Sequence, residues 1–422
     1  MSIFHYQNNT LFAEDVSIAQ LASTQPTPFY CYSSRAFSQH YQQFKAAFAS
    51  LPNTLCYAMK ANSNQAILKL LAQQGAGADV VSLGELQRAI EAGFPAEKIV
   101  FSGVAKSAAE IKAALKLNIH CFNVESEPEL RHISAIAQSM NKIAPVSLRI
   151  NPDVDPATHA KISTGKSSDK FGIPLKNALP IYQLAADLPA IEVCGIDMHI
   201  GSQITKLSAY DEAIGLLVTL ANTLKEQGIA IKHFNFGGGL GVAYKDSDSD
   251  QQTLLAQYAE IIKKHACALN CHYIFEPGRF IAANAGILVT QVRYVKPVEE
   301  KCFVIVDAAM NDLIRPTLYE AYHQIASVEQ ANEKSETQIV DVVGPVCETG
   351  DYLALNRKLA PVSEGDLLVL HSAGAYGAVQ SSTYNSRPLI SEVLVDGDRW
   401  HTIRQSPSIE QLINLDSIPN WL

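Results

Sequence analysis

Lys60 closes a short apolar run, Leu55-Cys56-Tyr57-Ala58-Met59, and is followed by Ala61-Asn62. That sets an ammonium group where a buried strand should be ending. A lysine there can attack an aldehyde once it has lost its proton, and burial or a neighbouring cation lowers the pKa of such a group. Further along, Phe236-Gly237-Gly238-Gly239 and Glu276-Pro277-Gly278-Arg279 each follow an apolar strand-like run. A glycine run lets backbone amides come close to an anion, and a helix after it adds its N-terminal dipole. A carboxylate at a strand end can keep a pyridine nitrogen protonated, so that the ring accepts electrons from a carbanion. Lysine, phosphate loops and carboxylate together point to a Schiff base with pyridoxal 5'-phosphate. Taken singly, each has a plain structural reading: a lysine with its stem along a strand end, an ordinary glycine turn, and a Glu–Arg pair that fixes a turn.

Other groups join them. His199, in 197–203 (DMHIGSQ), is placed to stack on a flat ring, and Ser202 beside it can donate to phosphate. Arg279 offers a guanidinium for phosphate or a carboxylate, as does Arg315, which lies near Tyr319. Cys347 stands beside Glu348, and a thiol with an ordinary pKa can give a proton to a carbanion. Tyr376 lies between glycines in Ala373-Gly374-Ala375-Tyr376-Gly377, where backbone and hydroxyl can both approach a ligand.

These residues need elements to hold them. Strand-like runs at 55–59, 78–82, 99–103, 121–125, 146–150, 195–200, 233–237 and 272–276 alternate with amphipathic stretches. Strand and helix alternating in this way give a parallel sheet, and eight such units close into a barrel whose active site lies at the C-terminal strand ends. Lys60, His199, the glycine run and Glu276 then surround one mouth. A polar stretch at 153–170, with Thr158, His159, Ser163, Thr164, Gly165, Ser167 and Ser168, has the length of a lid. After about residue 282 the strands follow one another without long helices: 287–295, 302–307, 338–343, 366–371 and 390–395. The expected fold class is therefore α/β: a PLP-binding (β/α)8 TIM-like barrel over 30–281, with a mostly antiparallel, sandwich- or barrel-like β domain made of 1–29 and 282–422. Residues 329–336 (EQANEKSE) read as a surface loop.

The 422 residues are 47% hydrophobic and 18% charged, with a net charge of −9 and no basic stripe, so nucleic acid is not an expected partner. The first residues lack a secretion signal and no apolar stretch is long enough to cross a bilayer, so a cytoplasmic protein without a membrane partner is expected. The eight cysteines are scattered, with no CxxC; even Cys267 and Cys271 with His265 and His272 do not match a zinc site, so no metal is expected and most of the cysteines read as small buried hydrophobes.

Taken together, the chain closely resembles the meso-diaminopimelate decarboxylases, a family of PLP-dependent, alanine-racemase-like (group IV) decarboxylases. The resemblance runs through nearly the whole length, on 57–62 (YAMKAN), 77–82 (GADVVS), 121–129 (CFNVESEPE), 149–155 (RINPDVD), 162–165 (ISTG), 170–173 (KFGI), 198–203 (MHIGSQ), 237–241 (GGGLG), 276–279 (EPGR), 307–316 (DAAMNDLIRP), 343–351 (VGPVCETGD), 373–377 (AGAYG) and 384–388 (YNSRP). It implies decarboxylation of meso-2,6-diaminopimelate to L-lysine and CO2, the last step of lysine biosynthesis by that route. Lys60 would carry the cofactor, His199 stack on its ring and Glu276 pair with its nitrogen. Asp79, Ser202, Gly238, Gly239, Gly278, Arg279 and Tyr376 would help hold it. Arg279, Arg315, Tyr319 and Tyr376 would bind the substrate, Glu348 would recognise its distal amine and Cys347 would return the proton. The resemblance also implies a homodimer whose β domains complete each other's sites. Departures from the family pattern are Thr158-His159-Ala160-Lys161 where His-Pro-Tyr is usual, Thr349 for serine and Met59 for valine. The alternatives are a related PLP decarboxylase acting on carboxynorspermidine or another basic amino acid, a racemase, and a catalytically dead partner-binding homologue.

Overall fold

The computed structural model describes residues 3–422 except 157, 163, 166–168, 246, 249, 300 and 331–336. Of the candidate lid, Ser163, Ser167 and Ser168 lie outside the described residues, as does most of the expected 329–336 loop.

The chain divides into two compact units. One comprises His40–Ala243 and Ser249–Phe280; the other comprises Met1–Gln39, Tyr244–Asp248 and Ile281–Leu422. In the first, eight parallel strands close on themselves: β1 (Asn53–Ala58), β2 (Gly77–Val80), β3 (Ile99–Phe101), β4 (Cys121–Val124), β5 (Ala144–Asn151), β6 (Ile191–Asp197), β7 (His233–Asn235) and β8 (His272–Phe275). The closure is the parallel pairing of β8 with β1, which sets Phe275 opposite Leu55. All eight strands expected from the sequence are present. A two-residue strand, Ile173–Pro174, adds to the edge of β5.

The helices between the strands follow from local chemistry. Ser82 caps Leu83–Ala92 by accepting the Glu85 amide, and Gly93, at φ +94°, ends it in a left-handed turn. Ser107 and Glu110 form a reciprocal capping box at the start of Ala108–Leu117. Outside the sheet, Phe48 stacks on Phe275 with ring centroids 4.2 Å apart, and Tyr210 meets Tyr258 edge-on at 4.8 Å. Rings in these arrangements bury large area with a geometric preference, and they fix the late strands that carry the glycine run and Glu276.

In the second unit, a mixed sheet runs in the order Tyr352–Leu359, Gln338–Val343, Lys301–Val306, Gly286–Val298, Phe29–Ser33, Ser391–Asp396, Arg399–Arg404, with Leu367–Leu370 joining at Gly286–Val298. Its pairings are antiparallel apart from Lys301–Val306 with Gln338–Val343 and Phe29–Ser33 with Ser391–Asp396. Its core includes Leu11, Ile18, Phe29, Ile287, Val289, Val369 and Val393. Among the described residues no helix is long and apolar enough to cross a membrane.

Candidate active site

Because the eight strands are parallel, their C-terminal ends share one mouth. Lys60 sits there in the tight turn Met59–Ala61 that follows β1. Its Nζ lies 2.5 Å from Asp79 Oδ2 in β2; the Asp79 side chain is fully buried, while 37% of the lysine side chain is exposed. Asp79 Oδ1 and Asp197 Oδ1, the latter at the end of β6, are buried without a hydrogen-bond partner among the described residues. Glu276, just past β8, is buried, and its Oε1 accepts from Asn235 Nδ2 at 2.6 Å and Asn123 Nδ2 at 3.1 Å. Burial, reinforced by the Asp79 and Asp197 charges, raises the Glu276 carboxyl well above the carboxylate range. Burial likewise lifts Asp197 to about 7, against the lowering influence of Arg149.

Lys60, Asp197 and Glu276 border a cavity of about 420 Å³ also lined by Ser102, Arg149, Thr164 and His199. His199 Nδ1 accepts the Gly238 amide at 3.2 Å, which leaves a neutral ring its proton on Nε2. Burial, with the Arg149 and Lys60 cations, holds His199 well below the usual histidine range, so the ring is a neutral plate. Arg149 is bound to Glu125 at 2.8 Å and lies over Phe171. The described part of the expected lid is tied to the end of β6: Thr164 donates to the His199 carbonyl at 2.9 Å, and the Ser202 amide to the Ile162 carbonyl at 3.1 Å.

The glycine run has two jobs. A Cβ on Gly238 would lie 2.2 Å from the Glu276 carbonyl, and one on Gly239 (φ +103°) would lie 2.2 Å from the Gly201 carbonyl. Packing of neighbouring strand ends therefore demands glycine whether or not an anion binds. Beside the run, Arg279 Nη2 donates to Ser202 Oγ at 2.9 Å, and a Cβ on Gly278 would crowd Ala58 and Ala61. A bare backbone lane next to a buried guanidinium and a hydroxyl suits a phosphate. The two orphaned carboxylate oxygens and buried Glu276 suit a ring that carries a cationic nitrogen. On these observations the residues present fit pyridoxal phosphate.

Lys60, Asp79, His199, Ser202, Gly238, Gly239, Glu276, Gly278 and Arg279 thus all belong to the barrel mouth. Arg315, Tyr319, Cys347, Glu348 and Tyr376 belong to the second unit. There Arg315 is buried, 2.8 Å from His323 Nε2 and stacked on Tyr244; Tyr319 Oη accepts from Gln380 at 3.2 Å. Cys347 and Glu348 are exposed on a turn pinned by Asp351, whose carboxylate accepts the Met310 and Val346 amides at 2.6 Å each. Tyr376 has φ +56°, and a Cβ on Gly374 would lie 2.0 Å from the Ala282 carbonyl, so its loop has one way to fold.

Sequence reasoning gave no role to Asn123, Asn235, Asp197 or Lys106. Lys106 is a second lysine at the cavity. It differs from Lys60 because its buried ammonium already donates to Gly103 O, Asn123 O and Glu129 Oε1 at 2.6–2.8 Å. Cys267, Cys271, His265 and His272 do not assemble: Cys267 bonds the Lys263 carbonyl and His265 bonds Asp211. Nor are most cysteines buried; four are, and Cys267 and Cys347 are exposed.

Asp197 generates a prediction. Its folded-state value near 7 lies above the unfolded value near 3.8. Between the two, the folded state holds a proton that the unfolded chain has lost, so stability falls as pH rises through that window. The melting temperature of the cofactor-free protein should drop between about pH 5 and about pH 7.5, and less steeply in Asp197→Asn. Equal slopes in the two proteins would show that Asp197 is not buried as an acid.

The family model for the pyridoxal-dependent decarboxylase, pyridoxal binding domain, matches residues 34–283. The diaminopimelate decarboxylase of Haemophilus influenzae is 48% identical over 418 residues, covering 99% of this chain and 100% of that protein. The diaminopimelate decarboxylase of Helicobacter pylori, solved in complex with L-lysine, is 43% identical with a TM-score of 0.89, covering 94% of this chain and 98% of that one. That of M. jannaschii, also solved with L-lysine, is 35% identical with a TM-score of 0.93, covering 99% and 98%. With relatives this similar over their full length, and a mouth fitted to pyridoxal phosphate, the chain belongs to the diaminopimelate decarboxylase family of PLP-dependent decarboxylases.

Proposed function

We propose that the barrel mouth is where this enzyme decarboxylates meso-2,6-diaminopimelate to L-lysine and CO2. The observation that carries the reading is the Lys60–Asp79 contact of 2.5 Å, beside a cavity lined by two buried acids, Asp197 and Glu276. Bound pyridoxal phosphate supplies an electron-accepting ring for the charge left when CO2 departs.

The chain's own residues do the rest. Asp79 holds the Lys60 ammonium in place, and the deprotonated Lys60 amine would hold the cofactor by condensing with its aldehyde, with water leaving. Glu276, oriented by the Asn123 and Asn235 amides, holds a proton at the ring nitrogen. His199 covers one face as a neutral ring, adding no positive charge. Ser202, Arg279 and the Gly238–Gly239 backbone hold the phosphate. In the second unit, Arg315 and Tyr319 bind the distal carboxylate of the substrate, with Tyr376 beside the cofactor. Glu348 pairs with the distal amine, and the Cys347 thiol delivers a proton to the carbon that lost CO2. A substrate with both charges at its far end needs both kinds of partner, which favours diaminopimelate over a polyamine precursor.

Exposure of Cys347 and Glu348 supports a homodimer. A proton donor for a carbanion has to be kept from bulk water, and a partner subunit's barrel would cover this turn.

Product analysis tests the substrate. PLP-loaded protein given meso-diaminopimelate, L-lysine, L-ornithine, L-arginine or carboxynorspermidine should yield L-lysine and equimolar CO2 from the first alone; faster turnover of carboxynorspermidine would overturn the choice. Subunit mixing tests the shared site. Lys60→Ala and Cys347→Ala should each be nearly inactive, and the co-refolded mixture should regain about a quarter of wild-type activity, because random pairing leaves half the dimers with one intact site. No recovery in demonstrated hybrid dimers would place both residues in a site built from one chain.

A further inference from the structure

The N-terminal end of the barrel, away from the mouth, holds a cluster that decarboxylation does not use. His120 immediately precedes β4, Cys121 is its first residue and His233 is the first residue of β7. One ligand atom from each lies within 4.8 Å of the others, the one such group among the described residues. Cys121 Sγ is 3.9 Å from His233 Nε2. Both residues are buried, and the His233 ring fills the space where a Gly195 side chain would be: a Cβ there would lie 2.3 Å from His233 Nε2.

Two observations separate this cluster from ordinary core packing. His120 Nε2 is buried with no hydrogen-bond partner among the described residues. A neutral histidine whose buried Nε2 keeps a bare lone pair can offer it to a metal. Ser147, opposite Gly195 in the barrel register, also has a buried hydroxyl oxygen without a partner. The cluster therefore has a second unpaired polar atom beside it.

We propose that His120, Cys121 and His233 bind a divalent transition-metal ion of the zinc class, with sulfur as thiolate. Binding replaces the Cys121 thiol proton, which leaves to solvent, by a metal–sulfur bond; no electrons move. Zn–S of about 2.3 Å and Zn–N of about 2.0 Å require S···N of about 3.6 Å, close to the Cys121–His233 spacing, and partly buried His120 moves inward to complete the set. Water takes the fourth position. Side chains two apart on a strand face the same side. Cys121 is two residues before Asn123, and His233 two before Asn235, so the metal braces the strands whose amides orient Glu276 from below.

The test is metal retention by the PLP-loaded enzyme after equilibration with ZnCl2 and exhaustive dialysis, with CoCl2 as a spectroscopic probe. Exposed Cys267 and half-buried Cys271 are replaced by serine in the background protein, and exposed Cys347, kept for turnover, is common to every variant compared. One zinc per chain and a thiolate-to-cobalt charge-transfer band are expected. Cys121→Ala and His120→Gln should each lower retained metal at least about ten-fold, and His120→Gln, at a partly exposed position, should keep fold and turnover in metal-free buffer. No retained metal in the background protein, or undiminished metal in folded His120→Gln, would overturn the site.

Discussion

The barrel mouth gathers more buried acid than it has cation to balance. Among the described residues, Asp79, Asp197 and Glu276 face Lys60 there, while three other nearby cations have partners of their own: Arg149 on Glu125, Lys106 on Glu129 and Arg279 on Ser202. Burying charge without compensation is expensive, and the carboxyls respond by holding protons, which is why Asp197 and Glu276 are shifted upward. A ligand that brings a cationic ring nitrogen and an aldehyde for Lys60 relieves that imbalance. Stability is held back at the site so that cofactor binding can supply it.

The glycine run and the paired asparagines follow from the same constraint. Strand ends must come close enough for Asn123 and Asn235 to reach one Glu276 oxygen, and that approach leaves no room for side chains at Gly237, Gly238 or Gly239. The alternating strand pattern then carries the geometry through the barrel, so β4 and β7 present amides to the mouth and a thiol and an imidazole to the other end.

Much of this was legible in the sequence, and the rest was hidden for identifiable reasons. Eight short apolar runs separated by amphipathic stretches gave the barrel, and residues just past the strand ends gave Lys60, His199 and Glu276. Asn123, Asn235 and Asp197 escaped because a polar residue pointing into a barrel looks, in one dimension, like an interruption of an apolar run. Lys106 precedes a capped helix and reads as surface; only the fold shows its ammonium ringed by three acceptors. The glycine run was legible as a site, although its glycines answer first to neighbouring carbonyls. His120, Cys121 and His233 have no motif spacing because the third lies three strands further round the barrel.

The most direct measurement is borohydride reduction of the PLP-loaded protein followed by peptide mass mapping. Among the described residues two lysines line the cavity, and the geometry assigns covalent chemistry to the one that faces buried Asp79, not to the one whose ammonium already has three acceptors. The pyridoxyl mass should appear on the peptide that contains Lys60 and be absent from it in Lys60→Ala. Label on Lys106, or no label in protein that has bound the cofactor, would contradict the account.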